Sequence, residues 1–341
     1  MNLLPQNTHV WLLTDGKAGL EAHCIGLAEA LGVVAERRVI DPGRVWSALM
    51  PYGPIDPRES PRRTGSPIAP PFPDILIASG RRTLPYLRHV RKASGGHTFT
   101  VYMQDPAIGT RAADVICVPQ HDRLRGDNVV VTLTSPHRLT PAVLTAARAA
   151  GDVRLAHLPQ PRLALVLGGD SQHFRFSAEN ATELAAMAVR HGREGFGLMV
   201  TPSRRTPQAV LDAINNALKA AGFGADRAFV WDRSGDNPYV SMLGMADRLV
   251  VTGDSVNMVS EAMATGQPVY LYLPAGKGHP KINRFHHGLY AAGAARPYAG
   301  RLEDFACEAI DATPYIAGEV ARHYAAFRAK PMRALAASSA G

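Results

Sequence analysis

Short runs rich in Val, Ile and Leu recur along the chain, each followed by a longer alanine-rich stretch, and this alternation restricts the fold more than any other feature. Strands interleaved with helices mark βαβ units, whose strands lie parallel. In the first half the runs are His9 to Thr14, Val33 to Ile40, Asp74 to Ser79, Thr98 to Met103, Val115 to Val118 and Val129 to Leu133. In the second they are Leu163 to Leu167, Gly197 to Thr201, Ala228 to Trp231, Arg248 to Thr252 and Val269 to Leu273. Apolar residues within them are continuous, as in Ile75, Leu76 and Ile77. Strands of that kind are covered on both faces, as in a parallel sheet sandwiched between helices. The expected class is α/β, with two Rossmann-like, doubly wound parallel sheets.

A chain of 341 residues has room for two such domains, at roughly 150 residues each. Gly151 to Arg162 holds Gly151, Pro159 and Pro161 without a helical period and reads as the linker. The boundary is placed near Pro159, giving a first domain of residues 1–158 and a second of 159–314. Tyr315 to Lys330 spaces Ile316, Val320, Tyr324 and Phe327 as one amphipathic helix, and Pro331 to Gly341 is expected to be a disordered tail. Pro51 to Pro73 contains eight prolines among several arginines and reads as a long exposed loop.

A net charge of +8 suits nucleic acid, an anionic membrane surface or phosphate-bearing small molecules. With no aromatic RNA-binding pattern, no zinc-finger spacing and scattered arginines, nucleic acid is not expected as a partner. Cys24, Cys117 and Cys307 are far apart and form no CxxC pair, so neither a disulfide framework nor a thiolate zinc site is predicted. Met1 to Thr8 lacks the character of a signal peptide, and no run of about 18 apolar residues occurs. The expectation is a cytoplasmic protein, peripheral on the inner face of the plasma membrane if it engages lipid.

The segment Arg248 to Pro268 reads as strand, tight loop, helix and stop. Gly253 and Asp254 follow the strand, the helix opens at Ser255, and Gly266 with Pro268 ends it. Open α/β sheets bind ligands at the carboxyl ends of their strands, where a helix N-terminus offers N–H groups to phosphate. Asn257, Ser260 and Glu261 share one helix face, from which a carboxylate can accept hydrogen bonds from ribose hydroxyls. Glycine-bearing turns also follow the first strand of each half, at Gly168, Gly169, Asp170, Ser171 and at Asp15, Gly16, Lys17, Ala18, Gly19; neither fits GxGxxG or the Walker pattern. Their place at the opening of both halves argues for a cleft between the domains. Ser203, Arg204 and Arg205 follow the strand ending at Thr201, and paired guanidinium groups suit a diphosphate.

For a general base the candidates are Asp15 at a strand end, His23 about one turn into the next helix, and Asp105 before Pro106. Each also fits a plain structural role, the aspartates as turn residues and His23 as a partly buried helical histidine. His279, His286 and His287 lack helical metal-ligand spacing, so no metal site is predicted.

The runs Thr14 to Gly19, Ser79 to Thr83, Gln104 to Pro106, Ser203 to Pro207, Trp231 to Tyr239, Thr252 to Ala262 and Lys281 to Gly288 together resemble bacterial members of the elongated-mitochondria (ELM) family, named for a plant mitochondrial fission factor. That family resembles GT-B glycosyltransferases. The resemblance implies a GT-B-like arrangement with an acceptor-side first domain, a donor-side second domain and a terminal helix crossing back to the first. Ser255, Asn257, Ser260 and Glu261 would hold the donor nucleotide, with Gly169, Asp170 and Ser171 near its diphosphate. Asn257 stands where the family pattern has serine, and His23 where it has glutamine. The implied activity moves a sugar from a nucleotide-diphosphate donor to a saccharide or lipid-linked acceptor of the cell envelope, with no further cofactor. A nucleotide-sugar epimerase and a non-enzymatic membrane-surface adaptor are the alternative readings.

Overall fold

The computed structural model describes residues 3–171, 174–274 and 279–329; the tail expected from Pro331 to Gly341 lies outside the described residues. The chain divides into two compact units. One comprises the chain through Val118, Leu124–Val131 and the chain from Thr313; the other comprises Pro119–Arg123 and Thr132–Ala312.

In the first unit the elements are β1 (Val10–Thr14), α1 (Ala18–Leu31), β2 (Ala35–Val39), α2 (Arg44–Leu49), β3 (Ile75–Ala78), α3 (Leu84–Ala93), β4 (Phe99–Tyr102), β5 (Val115–Pro119) and β6 (Val129–Thr132). The six strands are ordered β2-β1-β3-β4-β5-β6, and every pairing from β2 to β5 is parallel. In the second unit follow α4 (Pro141–Ala150), β7 (Arg162–Leu167), α5 (Ala178–Arg193), β8 (Gly197–Pro202), α6 (Gln208–Ala220), β9 (Ala228–Val230), α7 (Tyr239–Met245), β10 (Arg248–Thr252), α8 (Val256–Met263), β11 (Val269–Tyr272), α9 (Pro280–Ala291) and β12 (Arg296–Pro297). Its six strands run β12-β11-β10-β7-β8-β9, all parallel.

The continuous apolar runs have the cause expected of them. Successive side chains of a strand face opposite sides, and β7 sends Leu163, Leu165 and Leu167 into a core with α5 and α6. Ala164 and Val166 enter a separate core with α4, α7, α8 and α9 on the other face. Both faces are dry.

The second unit takes up the chain earlier than Pro159. The apolar side of α4 finds its partners on α7: Leu144 shares a core with Met242 and Leu243, and the absent side chain of Gly244 admits the Leu144 carbonyl. The Pro51 to Pro73 segment is also more than an exposed loop. Ile68 and the Asp56 side chain are completely buried, Pro57–Glu59 forms a 3-10 turn, and the Tyr86 hydroxyl reaches Glu59. Prolines lower the entropy lost when such a segment is fixed by a few buried anchors.

The last helix, α10 (Thr313–Ala329), packs on α1 and β4 of the first unit. Phe99 of β4 meets Tyr324 and Phe327 with ring centroids 5.5 and 5.2 Å apart. Truncating Phe99 to alanine should cost about 3–5 kcal/mol, measured by urea denaturation. A loss below about 1 kcal/mol, the range of ordinary surface changes, would show that α10 is not seated on this ring.

Candidate functional site

The strand order of the second unit sets the position of the site. From β7 the chain continues to β8 on one side, whereas β10 flanks β7 on the other. Connections leave these two strands in opposite directions, which makes their carboxyl ends the topological switch point, where open α/β sheets bind ligands. Those loops are residues 168–171 and 253–255, the two glycine-bearing turns singled out in the sequence.

They are tied together by one carboxylate. The Thr252 hydroxyl accepts from Gly168 N at 2.6 Å and donates to Asp254 Oδ1 at 2.7 Å, while Asp254 Oδ2 accepts from Gly169 N at 2.9 Å. Asp254 is buried, and burial pushes its carboxyl above the ordinary range against the pull of these hydrogen bonds. A Cβ on Gly168 would overlap the Asp254 carboxylate, and one on Gly169 would overlap the backbone of Arg205. The two glycines thus admit other parts of the chain. The Gly169 N–H and both carboxylate oxygens of Asp254, expected at the ligand, are engaged with each other and with Thr252 in this scaffold.

The β8 loop joins the same network. The Thr206 hydroxyl reaches the carbonyls of Leu167 and Gly168 and accepts from Ser203 N at 2.8 Å; Ser203 Oγ accepts from Arg205 N at 3.2 Å. Asp170 N donates to Arg205 O at 3.1 Å, Asp170 Oδ1 accepts from Phe176 N at 2.9 Å, and Ser171 Oγ accepts from Phe174 N at 3.1 Å. Arg204 and Arg205 stay exposed, with Arg205 Nη1 resting on Asp170 O at 3.3 Å.

At α8, Ser255 is the N-cap and its hydroxyl lies 3.5 Å from Met258 N. Asn257 and Glu261 are partly exposed, as their shared face requires. Ser260 is completely buried; its hydroxyl donates to Val256 O at 2.8 Å and accepts from Ser135 N at 3.0 Å. It therefore anchors the segment before α4 and leaves the expected ligand set. Glu261 Oε2 accepts from the Tyr239 hydroxyl at 2.6 Å, and burial raises the Glu261 carboxyl above its usual value. The imidazole of buried His286 donates Nε2–H to Gly253 O at 2.8 Å, and burial pushes its pKa down to about 4.

The three base candidates belong to the first unit. The Asp15 side chain is 1% exposed and ion-paired to Lys17 Nζ at 2.9 Å. Asp105 Oδ1 caps the turn by accepting from Ala107 N at 2.8 Å. β1 and β4 flank β3 in the parallel sheet, so Asp15 and Asp105, just beyond the ends of these strands, lie along the same carboxyl edge. His23 is half-buried on α1.

Sequence reasoning missed Tyr239, Thr206, Thr252, Arg233 and His286 as organisers of the site. Arg233 holds a left-handed φ of 72° and donates to the carbonyls of Thr206 and Ser203. All five lie inside the motif runs, but no local pattern assigns any of them a partner.

Two six-stranded parallel sheets, each clothed in helices, define a GT-B-like protein. The glycotransferase of kitacinnamycin superposes with a TM-score of 0.51 over 95% of this chain and 94% of its own, at 13% identity. The family description "Mitochondrial fission ELM1" matches residues 18–324, and the chain belongs to that family. The mitochondrial fission protein ELM1 of Arabidopsis thaliana is 28% identical over 253 residues, 67% of this chain but 58% of the plant protein, so the match spans little more than half of that relative. An uncharacterized protein of Rickettsia prowazekii (strain Madrid E) is 24% identical over 322 residues, 83% of this chain and 86% of its own.

Replacing Asp254 by asparagine should lower stability by about 1–3 kcal/mol, because the amide NH2 would face a donor, Gly169 N–H or the Thr252 hydroxyl. An unchanged melting temperature would contradict the lock. Glu261 yields a pH test. A carboxyl whose folded pKa is raised stabilises the folded state most below its unfolded value, and that contribution is lost as pH rises through the folded value. The stability of Glu261→Gln relative to the unsubstituted protein should therefore improve as pH rises from the ordinary glutamate value, about 4.3, upward. A pH-independent difference would oppose this assignment.

Proposed function

We propose that the protein is a glycosyltransferase whose second unit holds a nucleotide-diphosphate sugar at the β7/β10 switch point. The observation that carries the reading is the amino end of α8 at that switch point, with Ser255 as N-cap and Glu261 on the helix's partly exposed face. The first N–H groups of a helix have no partner within it and carry a partial positive charge. They would face the diphosphate, with Ser255, Asn257 and the exposed Arg204 and Arg205 supplementing them. Glu261, held by Tyr239 through one oxygen, would offer the other to the ribose. Asp170, Ser171 and Ser203 would shape the wall, while Gly169, Asp254 and Ser260 keep the loops in place.

In the transfer, an acceptor hydroxyl attacks the anomeric carbon as its bond to the diphosphate oxygen breaks, and the hydroxyl proton passes to a base. Asp15 is the preferred base, since its carboxylate lies at the carboxyl end of β1 beside the switch between β1 and β3. Lys17, with a side chain 58% exposed, must swing away to uncover it. His23 and Asp105 are the other candidates. The acceptor is a saccharide or lipid-linked saccharide of the cell envelope, reached at an anionic membrane surface through the arginines of residues 51–73. Among the described residues no helix is long and apolar enough to cross a membrane.

Glu261→Gln should keep the fold and weaken donor binding at least tenfold, since a charge-assisted hydrogen bond contributes about 1.5–3 kcal/mol. Asp15→Asn should instead lower kcat by about 10²–10⁴, the usual range for a lost general base, with donor affinity retained. Calorimetry with nucleotide sugars and a turnover assay separate the two. Unchanged binding in folded Glu261→Gln would place the donor elsewhere, and unchanged turnover in Asp15→Asn would remove that residue as base.

A further inference from the structure

Helix α9 carries more polar chemistry than anchoring the β10 loop requires. His286 faces Gly253, whereas Arg284 and His287, three residues apart, share another face of the helix. With Gln120, His121, Leu133 and Phe285 they line a pocket of about 220 Å³, wholly within the second unit.

Its buried wall is His121. This residue is 6% exposed and sits edge-on to Phe285, with centroids 5.3 Å apart and planes at 70°. Its ring makes no hydrogen bond among the described residues, and Nδ1 is fully buried. A buried polar group without a partner is uncommon enough to require a reason. Burial first, then Lys281 and Arg284, push the His121 pKa down to about 4 against the opposing effect of Asp122. The ring is therefore neutral, with one N–H to donate.

The charge around it is uneven. Lys281 Nζ and Asp122 Oδ1, 2.7 Å apart, neutralise each other. Arg284 spends only Nε, on the His121 carbonyl at 3.0 Å, and has no carboxylate partner among the described residues. Its two terminal nitrogens retain their donors on an exposed side chain. The free donors and positive charge of Arg284 thus lie on the same pocket wall as the imidazole, and an oxyanion would pair with the guanidinium and accept from the ring through Nε2–H.

We propose that this pocket is an oxyanion subsite, taking the phosphate or carboxylate of a small molecule other than the nucleotide. None of the residues of the β7, β8 and β10 loops lines it. The proposal stands whether or not those loops bind a nucleotide, so the two fail separately. Two sources share this chemistry, a second substrate and the donor's own phosphates, and the structure favours the first because the walls are separate.

The probe is inorganic phosphate, titrated into the full chain and followed by phosphorus NMR and calorimetry. The unsubstituted protein should bind it, and Arg284→Gln should weaken binding at least about tenfold, the loss expected of one charge-assisted contact. His121→Phe, which preserves the packing on Phe285, should weaken it too, whereas Glu261→Gln should leave it unchanged. Melting temperatures close to that of the unsubstituted protein would show that the Arg284 and His121 variants are folded. Absence of phosphate binding, or equal binding by Arg284→Gln, would overturn the subsite. Displacement of the Arg284-dependent phosphate by a nucleoside diphosphate would overturn its assignment to a second molecule.

Discussion

The architecture of the candidate site depends on the carboxylate of Asp254. Its oxygens hold the Thr252 hydroxyl and the Gly169 N–H, so the loops after β10 and β7, far apart in sequence, are fixed on each other. The β8 loop is then fixed on β7 through the Thr206 hydroxyl, and Arg233, beyond β9, holds the carbonyls of that loop. A switch point whose loops are bound in this way needs little reorganisation when a ligand enters, which is the condition for electrostatic preorganisation. Burial disfavours the charged form of Asp254, and the hydrogen bonds offset part of that cost.

Much of the fold was legible in the sequence, because the strands buried on both faces announce themselves as unbroken apolar runs. β7 and β10 fall where Leu163 to Leu167 and Arg248 to Thr252 place them, within a residue. β12 escaped because Arg296 and Pro297 are polar or ring-constrained, exposed, and only two residues long. The packing of residues 51–73 escaped for another reason: Ile68 and Asp56 are isolated anchors without a period, and what buries them is tertiary.

The site was legible in position but less so in role. A glycine pair at a strand end signals close approach of backbone, yet not to what; here the partners are Asp254 and Arg205. Ser260 and Glu261 share a helix face, but the buried Ser260 hydroxyl accepts from Ser135 N, 125 residues away, and Glu261 is met by Tyr239, 22 residues away. Local spacing reports which residues can act together and is silent about long-range partners, which divide scaffold from ligand contacts. Asp15 shows the same limit, since its ion pair with Lys17 is local whereas its burial depends on the packed sheet around it.

Recognition of a nucleoside diphosphate at the β7/β10 switch point, through the amino end of α8, is the proposal on which the functional reading rests. Calorimetry of the full chain against matched nucleosides, monophosphates and diphosphates of each base tests it most directly. One base series should bind, with affinity rising from nucleoside to monophosphate to diphosphate. Equal affinity along every series, or no binding of any diphosphate by the folded protein, would contradict it.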